Sequence, residues 1–148
     1  MKERSLVIIK PDAVARGLTE EVIFRIESAG FKIIARQDYL LPRKLVEEHY
    51  VEHQEKIFYG GLVAYLTSSP VTVLIAEGKN AILGLRKLAG PTNPAEAPAG
   101  TIRGDLKGEK IRNEDNIILN LIHASDSAES AEREIKLFFA DLTIPMVY

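Results

Sequence analysis

The stretch SLVIIK, residues 5–10, is the segment that decides the fold. It is a short run of β-branched and other apolar residues that stops at Lys10, Pro11 and Asp12, which is typical of a strand followed by a loop. Because its apolar residues are continuous rather than alternating, the run predicts a strand buried on both faces. Lys10 is therefore expected at the end of a central strand.

Outward from this strand, the sequence predicts an alternation of strands and helices. Three further apolar runs read as strands: FKIIARQDYLL (31–41), PVTVLIAEG (70–78) and NIILNLI (116–122). Helical periodicity is found from Thr19 to just before Gly30, with Thr19 as a cap, and in the segments Pro42 to about His53, Phe58 to Leu66, Asn80 to Leu88 and 126–142.

No periodicity is visible between residues 89 and 117, so a long loop is expected there. The resulting order of elements predicts an α+β, ferredoxin-like βαββαβ sandwich, in which helices cover a four-stranded antiparallel sheet. We expect residues 1–148 to form a single domain.

The composition is that of an ordinary globular chain, with 148 residues of which 46% are hydrophobic and 27% are charged. A formal net charge of -2 gives no general attraction to nucleic acid or to anionic membranes, so neither is expected as a partner. The chain has no cysteine, and its first apolar run is too short for a signal peptide or a membrane span. These features predict a cytoplasmic protein.

His123 lies in NLIHASDSAESAEREI, residues 120–135, between an apolar run and a predicted helix. Asp126 and Glu129 have the spacing of a capping box, which predicts Asp126 as the helix cap. Free amides and the positive dipole of a helix start can face an anion, so this position suits a histidine that meets phosphate. A structural histidine held by a backbone carbonyl is the other interpretation of this residue alone.

Glu134 falls on or beside the stripe of the last helix that is expected to be buried, formed by Ala131, Ile135, Phe138 and Leu142. A buried carboxylate requires a partner. If the helix folds back over its strand, Glu134 can bond one imidazole nitrogen of His123, fix the tautomer and leave the other nitrogen available. The alternative is a solvated glutamate at the edge of the stripe.

Three cations are candidates for a phosphate site. Lys10 ends a strand, Arg86 comes near the end of a helix, and Arg103 lies in the long loop between Gly100 and Gly104. An arginine grips phosphate oxygens in pairs and a lysine supplies a compact charge, so together they would form a polyphosphate clamp. Glycines beside Arg103 would let the backbone pass close to a ligand.

Aromatic and histidine residues gather in EEHYVEHQEKIFYGGL, residues 47–62. Phe58, if exposed at a cleft, could stack on a nucleobase without reading its identity, although the sequence pattern alone favours a core position. His49 and His53 are one helical turn apart, as in a two-histidine metal pair. No third ligand is apparent in the sequence, so we interpret this pair as a solvated helix face.

The chain resembles the nucleoside diphosphate kinases along nearly its whole length. The resemblance is carried, in the right order, by IIKPDAVARGL, HYVEHQEKIFYGGLVAYLTSSPV, GPTNPAEAPAGTIRGD and NLIHASDSAESAEREI. It implies a ping-pong transfer of the γ-phosphoryl group of a nucleoside triphosphate to a nucleoside diphosphate, through a phosphohistidine. It also implies Mg²⁺ that arrives with the nucleotide without direct protein ligands, and a homo-oligomer, either a hexamer or a tetramer.

The resemblance also assigns roles by position. His123 matches the nucleophile and Glu134 its supporting carboxylate, while Tyr50 and Ser125 match two further active-site positions. Phe58 matches the base-stacking ring and Leu62 its apolar neighbour. The positions that match phosphate and ribose contacts are Lys10, Arg86, Thr92, Arg103 and Asn120.

The chain departs from the family pattern at three places. Ala124 stands where a glycine commonly follows the histidine, and Ile57 replaces the proline before Phe58. The segment LKGEKIRNEDNIIL, residues 106–119, is longer than the usual link and is expected to be a solvated excursion, at least over 106–116. It keeps open a second hypothesis, a nucleotide-binding relative with impaired transfer that acts as a scaffold or sensor. An RNA-binding ferredoxin-like domain would need exposed aromatics on central strands, which LVIIK and VTVLIAEG lack.

Overall fold

The structure is a computed structural model that describes residues 2–139. Its strands are β1 (Lys2–Ile9), β2 (Lys32–Tyr39), β3 (Val71–Lys79) and β4 (Ile122–Ala124). Its α-helices are α1 (Pro11–Ala15), α2 (Thr19–Ser28), α3 (Arg43–His49), α4 (Tyr59–Leu66), α5 (Ala81–Ala89), α6 (Ile102–Leu106) and α7 (Ala128–Phe138). Among the described residues, no helix combines the length and apolar content needed to cross a membrane.

The four strands form one antiparallel sheet in the order β2-β3-β1-β4. β1 pairs with β3 along its whole length and with β4 near its C-terminal end, where Ile8 lies opposite His123. Helix α2 lies between β1 and β2 in the chain, and α5 lies between β3 and β4, so additional helices decorate a βαββαβ core. The predicted ferredoxin-like fold is confirmed.

β1 is buried on both faces, as its continuous apolar run predicts. Because side chains alternate across a strand, Val7 and Ile9 join the core beneath α2 and α5. Leu6 and Ile8 join a second core beneath α3, α4 and α7. Burying each such side chain contributes about 1.5–3 kcal/mol relative to exposure, so this strand anchors both layers and fixes the point at which Lys10 follows it.

The helix boundaries correct several predicted caps. Thr19 is the first residue of α2 rather than its cap, since Leu18 occupies the cap position and makes no side-chain capping bond. Gly30 does follow the helix end and has the positive φ of 97° that favours glycine there. α3 ends at His49, and the chain continues as the 3-10 turn Val51–His53 instead of one unbroken helix.

Residues 89–117, predicted as a long loop, contain α6, the 3-10 turn Pro94–Glu96 and part of a small hairpin. In the hairpin, Leu119 N–H donates to the Ile111 carbonyl at 2.8 Å and Asn113 N–H donates to the Ile117 carbonyl at 3.0 Å. The predicted strand 116–122 is therefore wrong for most of its length, and β4 of the main sheet begins only at Ile122. Ile117 is apolar because it is buried against the second core, not because it joins the sheet.

The segment around His123 differs from its prediction in two details. His123 is the middle residue of β4 rather than a residue beyond a strand end. Ser127, not Asp126, caps α7, because the Ser127 hydroxyl accepts a hydrogen bond from Ser130 N–H. Ala131, Glu134 and Phe138 form the buried face of α7. Leu142, predicted to extend that face, lies outside the described residues.

Candidate active site

A cleft of about 300 Å³ opens beyond the C-terminal end of β1, between β4, α5 and α7. Side chains expected in one site from separate parts of the sequence meet there. The predicted residues that line the cleft are Lys10, Tyr50, Leu62, Arg86, Thr92, Arg103, Asn120, His123 and Glu134. Two predicted residues, Phe58 and Ser125, do not line it.

His123 and Glu134 are in direct contact on one side of the cleft. Nε2 of His123 lies 3.0 Å from Oε1 of Glu134, the partner that the helix spacing of α7 predicted. The Ser125 hydroxyl donates to the same carboxylate oxygen at 2.7 Å, and it accepts a bond from Leu6 N–H at 3.0 Å. Ser125 is fully buried, so it holds Glu134 from behind and does not face the cleft.

Lys10 and Asn120 form the opposite side of the cleft. The Lys10 ammonium donates to Oδ1 of Asn120 at 2.8 Å, and the Asn120 amide donates to the Thr92 carbonyl at 3.1 Å. Burial, together with the neighbouring charge of Arg103, lowers the pKa of Lys10 to about 8, and Asp12 opposes this shift. The site thus holds a lysine whose charge is costly until an anion joins it.

Arg103 lies beside Lys10, but most of its guanidinium is engaged by the backbone. Nε donates to the Asn120 carbonyl at 3.0 Å, Nη1 to the Gly90 carbonyl at 2.6 Å and Nη2 to the Ile122 carbonyl at 2.6 Å. Burial and the nearby charge of Arg86 lower the pKa of Arg103 to about 10. Arg103 therefore ties the chain on both sides of Leu121 to Gly90 and adds positive charge to the cleft.

Leu121 connects these groups through an unusual backbone conformation. Its φ of 68° lies in the left-handed region, which costs a bulky residue about 1–3 kcal/mol. Two bonds hold it there: Lys10 N–H donates to the Leu121 carbonyl at 2.8 Å, and Leu121 N–H donates to a carboxylate oxygen of Asp12 at 3.1 Å. The Tyr65 hydroxyl donates to the other oxygen of Asp12. This turn sets Asn120 and His123 on the same cleft.

The glycines beside Arg103 have roles in the local packing and backbone conformation. A Cβ on Gly104 would collide with the carbonyl oxygens of Pro98 and Ala97, so glycine is needed for the preceding loop to pack against α6. Gly100 has a φ of 95° and supports the turn before α6. Both glycines are thus required by the local backbone, whereas the expected close approach of a ligand stays a prediction.

The sequence interpretation of His49 is wrong. Its side chain is only 5% exposed, and its ring meets that of His123 edge-to-face with centroids 5.0 Å apart. Arg133 of α7 draws α3 toward the cleft by donating to the Glu48 carbonyl at 2.5 Å. The sequence contained a signal for the burial of His49, because this residue follows the apolar Val46 by three positions and so lies on the same face of the helix.

Tyr50 follows His49 and also lines the cleft. Burial, reinforced by the charge of Glu134, raises the pKa of Tyr50 above the ordinary range, so this residue remains a neutral phenol. The other cleft residues that the sequence did not single out for the site are Glu52, His53, Ile122, Ala124, Asp126, Ser130 and Arg133.

Phe58 stands apart from the lining residues. Its side chain is 44% exposed, and its ring lies 5.9 Å from the ring of His53, which does line the cleft. Leu62, one turn further along α4, reaches the cleft itself. The core alternative for Phe58 is therefore wrong, because nearly half of the residue is exposed, beside a histidine that lines the cleft.

Known proteins resemble this chain in sequence and in fold. The sequence model of nucleoside diphosphate kinase matches residues 3–144. The chain belongs to the nucleoside diphosphate kinase family. It is 52% identical over 139 residues to a nucleoside diphosphate kinase of Archaeoglobus fulgidus, covering 94% of this chain and 87% of the relative. It is 53% identical over 140 residues to that of Pyrococcus abyssi, covering 95% and 86%.

Solved structures of nucleoside diphosphate kinases share the fold. The Halobacterium salinarum enzyme, solved in complex with CDP, has a TM-score of 0.88 and 39% identity, over 100% of this chain and 93% of that one. The Aquifex aeolicus enzyme has a TM-score of 0.86 and 35% identity, over 97% and 99%. The family resemblance seen in the motifs is thus confirmed at the level of sequence and fold.

Proposed function

We propose that this nucleoside diphosphate kinase transfers the γ-phosphoryl group of a nucleoside triphosphate to a nucleoside diphosphate, through a phosphohistidine on His123. The observation that carries the proposal is the contact of His123 with the buried Glu134, on a cleft that also holds Lys10, Arg86 and Arg103. A nucleophile positioned among cations is what phosphoryl transfer requires, since it depends on alignment and charge neutralisation.

The contact between Nε2 of His123 and Glu134 indicates which nitrogen attacks. An ionised Glu134 can only accept, so Nε2 of His123 donates to it and Nδ1 keeps its lone pair. Nδ1 attacks the γ-phosphorus, and the bond to the bridging oxygen breaks with its electron pair leaving on the diphosphate. Glu134 stabilises the charge that develops on the ring. In the second half-reaction a terminal oxygen of the acceptor diphosphate takes the group, and the nitrogen–phosphorus bond breaks.

The other side of the cleft is assigned to the nucleotide. Lys10, Arg86 and Arg103 neutralise the phosphates, and Thr92 and Asn120 provide hydrogen bonds to phosphate or ribose. Phe58 stacks on the base and Leu62 lies against it. Tyr50 remains protonated and provides a phenolic donor, while Ser125 positions Glu134. A stacking ring has no means to read base edges, so broad nucleotide specificity is expected.

The cleft residues fit a magnesium ion that enters with the nucleotide and is held mainly by its phosphates. The cleft carboxylates are Glu52, Asp126 and Glu134, of which Glu134 already bonds His123 and Ser125. Mg²⁺ prefers near-octahedral oxygen ligands and retains several waters, so phosphate oxygens are its main support here. When bound, the ion neutralises phosphate charge.

We also propose a homo-oligomer, either a hexamer or a tetramer, in the cytoplasm. β2 pairs only with β3 within the described sheet, and Phe24 on the neighbouring α2 is 65% exposed, so this edge carries surface that a second copy can cover. Light scattering coupled to size exclusion measures the mass directly, and a monomer at micromolar concentration would contradict this proposal.

Phosphohistidine formation is tested with Mg²⁺ and γ-labelled ATP in the absence of an acceptor, followed by a chase with GDP. The protein is expected to acquire an acid-labile, base-stable label that leaves as GTP. His123→Asn loses the label, whereas the matched variant His53→Asn keeps it. Unlabelled wild-type protein that still binds nucleotide would instead favour a scaffold or sensor, and equal labelling of both variants would exclude His123.

A further inference from the structure

His49 is a buried imidazole that the proposed transfer does not use. Its Nδ1 and Nε2 are both buried and have no hydrogen-bond partner among the described residues. The ring is held edge-to-face by Tyr50, His123 and Phe138, with centroids 4.4, 5.0 and 5.1 Å away. A buried polar group without a partner is uncommon, and this one lines the nucleotide cleft. In its neutral form the ring therefore offers one free lone pair and one free N–H to a ligand of the cleft.

His49 is also held in the state that binds metals. Burial is the main cause that lowers the pKa of His49 well below its ordinary value, and electrostatic interactions with His123, Arg133, Lys10 and His53 act in the same direction. The ring is consequently neutral at physiological pH, and a neutral imidazole is the form that coordinates a metal ion.

Two further donors lie beside it. One ligand atom from each of His49, His123 and Glu134 can be chosen so that all lie within 4.8 Å of one another. Ligand atoms around one tetrahedral ion at about 2.0–2.2 Å lie about 3.3 Å apart, so a contraction of no more than about 1.5 Å forms the site. The sequence offered only the pair His49 and His53 for such a role; the tertiary structure replaces His53 with His123 and supplies the carboxylate.

The donor set selects the class of ion. Two imidazole nitrogens and one carboxylate suit Zn²⁺, Co²⁺, Ni²⁺ or Cu²⁺, whereas Mg²⁺ prefers oxygen ligands and retains its water. A site with three protein ligands leaves a position for water or a phosphate oxygen. The nearby cations Lys10, Arg86 and Arg133 oppose the ion electrostatically, which weakens the site relative to a structural zinc site.

We propose that His49, His123 and Glu134 bind one divalent transition-metal ion of the Zn²⁺ class, and that this ion blocks phosphoryl transfer. The block rests on the proposed function, because it follows from occupation of the nucleophile and of its supporting carboxylate. An ion bound at Nδ1 of His123 takes the lone pair that attack requires. An ion bound at Nε2 displaces the proton there, which moves to Nδ1 and occupies the same lone pair. In both cases Glu134 no longer accepts a hydrogen bond from the ring. His49 is then an inhibitory metal ligand rather than a catalytic residue.

Metal binding is tested without nucleotide, so that chelation by phosphates does not interfere. Chelator-treated wild-type protein is titrated with Zn²⁺ in a calorimeter and with Co²⁺ in a visible spectrometer. We expect saturation at one ion per chain, with d–d bands typical of nitrogen and oxygen ligation at low coordination number. His49→Phe keeps the ring packing but removes both nitrogens, and it should weaken binding by more than about tenfold. The matched variant His53→Phe should bind as the wild type does.

A measurement on the unmodified protein removes dependence on how His49→Phe folds. The chain has three histidines, so ¹⁵N spectra of the imidazoles resolve each ring. Addition of Zn²⁺ should shift the nitrogens of His49 and His123 and leave those of His53 unchanged. The metal site is excluded if His53 shifts and His49 does not, or if His49→Phe binds Zn²⁺ as tightly as the wild type.

The inhibitory consequence is tested separately with labelled ATP and excess Mg²⁺. Preincubation with Zn²⁺ should slow labelling of the wild type by about the fraction of sites occupied, and His49→Phe should lose this sensitivity. Equal inhibition of both proteins would overturn the inhibitory role. A wild type that takes no label even without Zn²⁺ would count against the proposed function, while the calorimetric and ¹⁵N results would still decide the metal site.

Discussion

The two sides of the cleft satisfy their polar atoms in different ways. On the phosphate side, defined by Lys10, Arg103 and Asn120, each side-chain nitrogen already makes a hydrogen bond, and three bonds from Arg103 reach backbone carbonyls. On the histidine side, defined by His49, His123 and Glu134, the His49 imidazole has no hydrogen-bond partner within residues 2–139, and the His123 imidazole contacts the Glu134 carboxylate. The hydrogen bonds of the phosphate side hold its cations in place, whereas the histidine side keeps imidazole lone pairs available to react or to bind a ligand.

The largest expected effect comes from breaking the phosphate side. Arg103→Met removes a charge and three bonds to buried carbonyls, so we expect kcat/KM to fall by about 10²–10³-fold and stability by about 3 kcal/mol. Steady-state kinetics and urea denaturation measure the two effects. Arg103→Lys keeps the charge but lacks the planar fork, so it should lose most of the same stability. Wild-type stability of Arg103→Lys would show that charge, not anchoring, is what matters here.

Ser125→Ala tests the histidine side. It removes a buried donor to Glu134 and also leaves Leu6 N–H without its side-chain acceptor. We expect kcat to fall by about 10–100-fold and stability by about 1–3 kcal/mol. Because Ser125 does not touch the cleft, KM should change little. A large rise in KM with constant kcat would show that Ser125 acts on nucleotide binding instead.

Phe58 lies outside both sides of the cleft. Its substitution therefore tests the proposed contact with the base separately from the proposed contacts with the phosphates. Loss of one stacking contact costs about 1–3 kcal/mol, so Phe58→Ala should weaken nucleotide binding by roughly tenfold. Binding measured for ADP, GDP, CDP and UDP should fall by similar factors, with the rate of histidine phosphorylation at saturation unchanged. Selective loss for one base would contradict a stacking role that ignores base identity.

The smallest expected effect is a pH dependence of the phosphate side. Burial lowers the pKa of Lys10 from its ordinary value of 10.5 to about 8. Phosphates bind the charged form, so nucleotide affinity should fall several-fold as pH rises from 7 to 9, with proton uptake on binding. Isothermal calorimetry in buffers of different ionisation enthalpy measures that uptake. Lys10→Arg, which stays charged, should flatten the profile, and an unchanged profile would assign the effect to another group.

The same Lys10 also affects stability, with the opposite direction. Its folded-state pKa is depressed, so between about pH 8 and the ordinary value of 10.5 the unfolded chain binds more protons. The contribution of this residue to stability therefore rises with pH across that window, whereas its cost is fully present below about pH 8. Nucleotide-free protein should show this rise, and saturating nucleotide should remove it.

Much of the fold follows from local pattern. The continuous run before Lys10 predicts the doubly buried β1, and the apolar stripe of α7 places Glu134 where it meets His123. The apolar run 116–122 misleads, because burial of Ile117 and Leu121 does not require them to join the sheet. The predicted caps at Thr19 and Asp126 fail for a related reason: which polar residue caps a helix depends on the exact backbone turn before it.

By itself, the sequence determined the order of elements, the central strand and the family, because these rest on periodicity and on motifs that are contiguous in the chain. Only the tertiary structure decided that Arg103 is committed to backbone carbonyls, that Leu121 adopts a left-handed turn, and that His49, which has no hydrogen-bond partner among the described residues, lies against His123. Each of these depends on contacts between segments far apart in sequence. Local pattern specifies which face of an element is apolar, but not which buried polar atoms find partners.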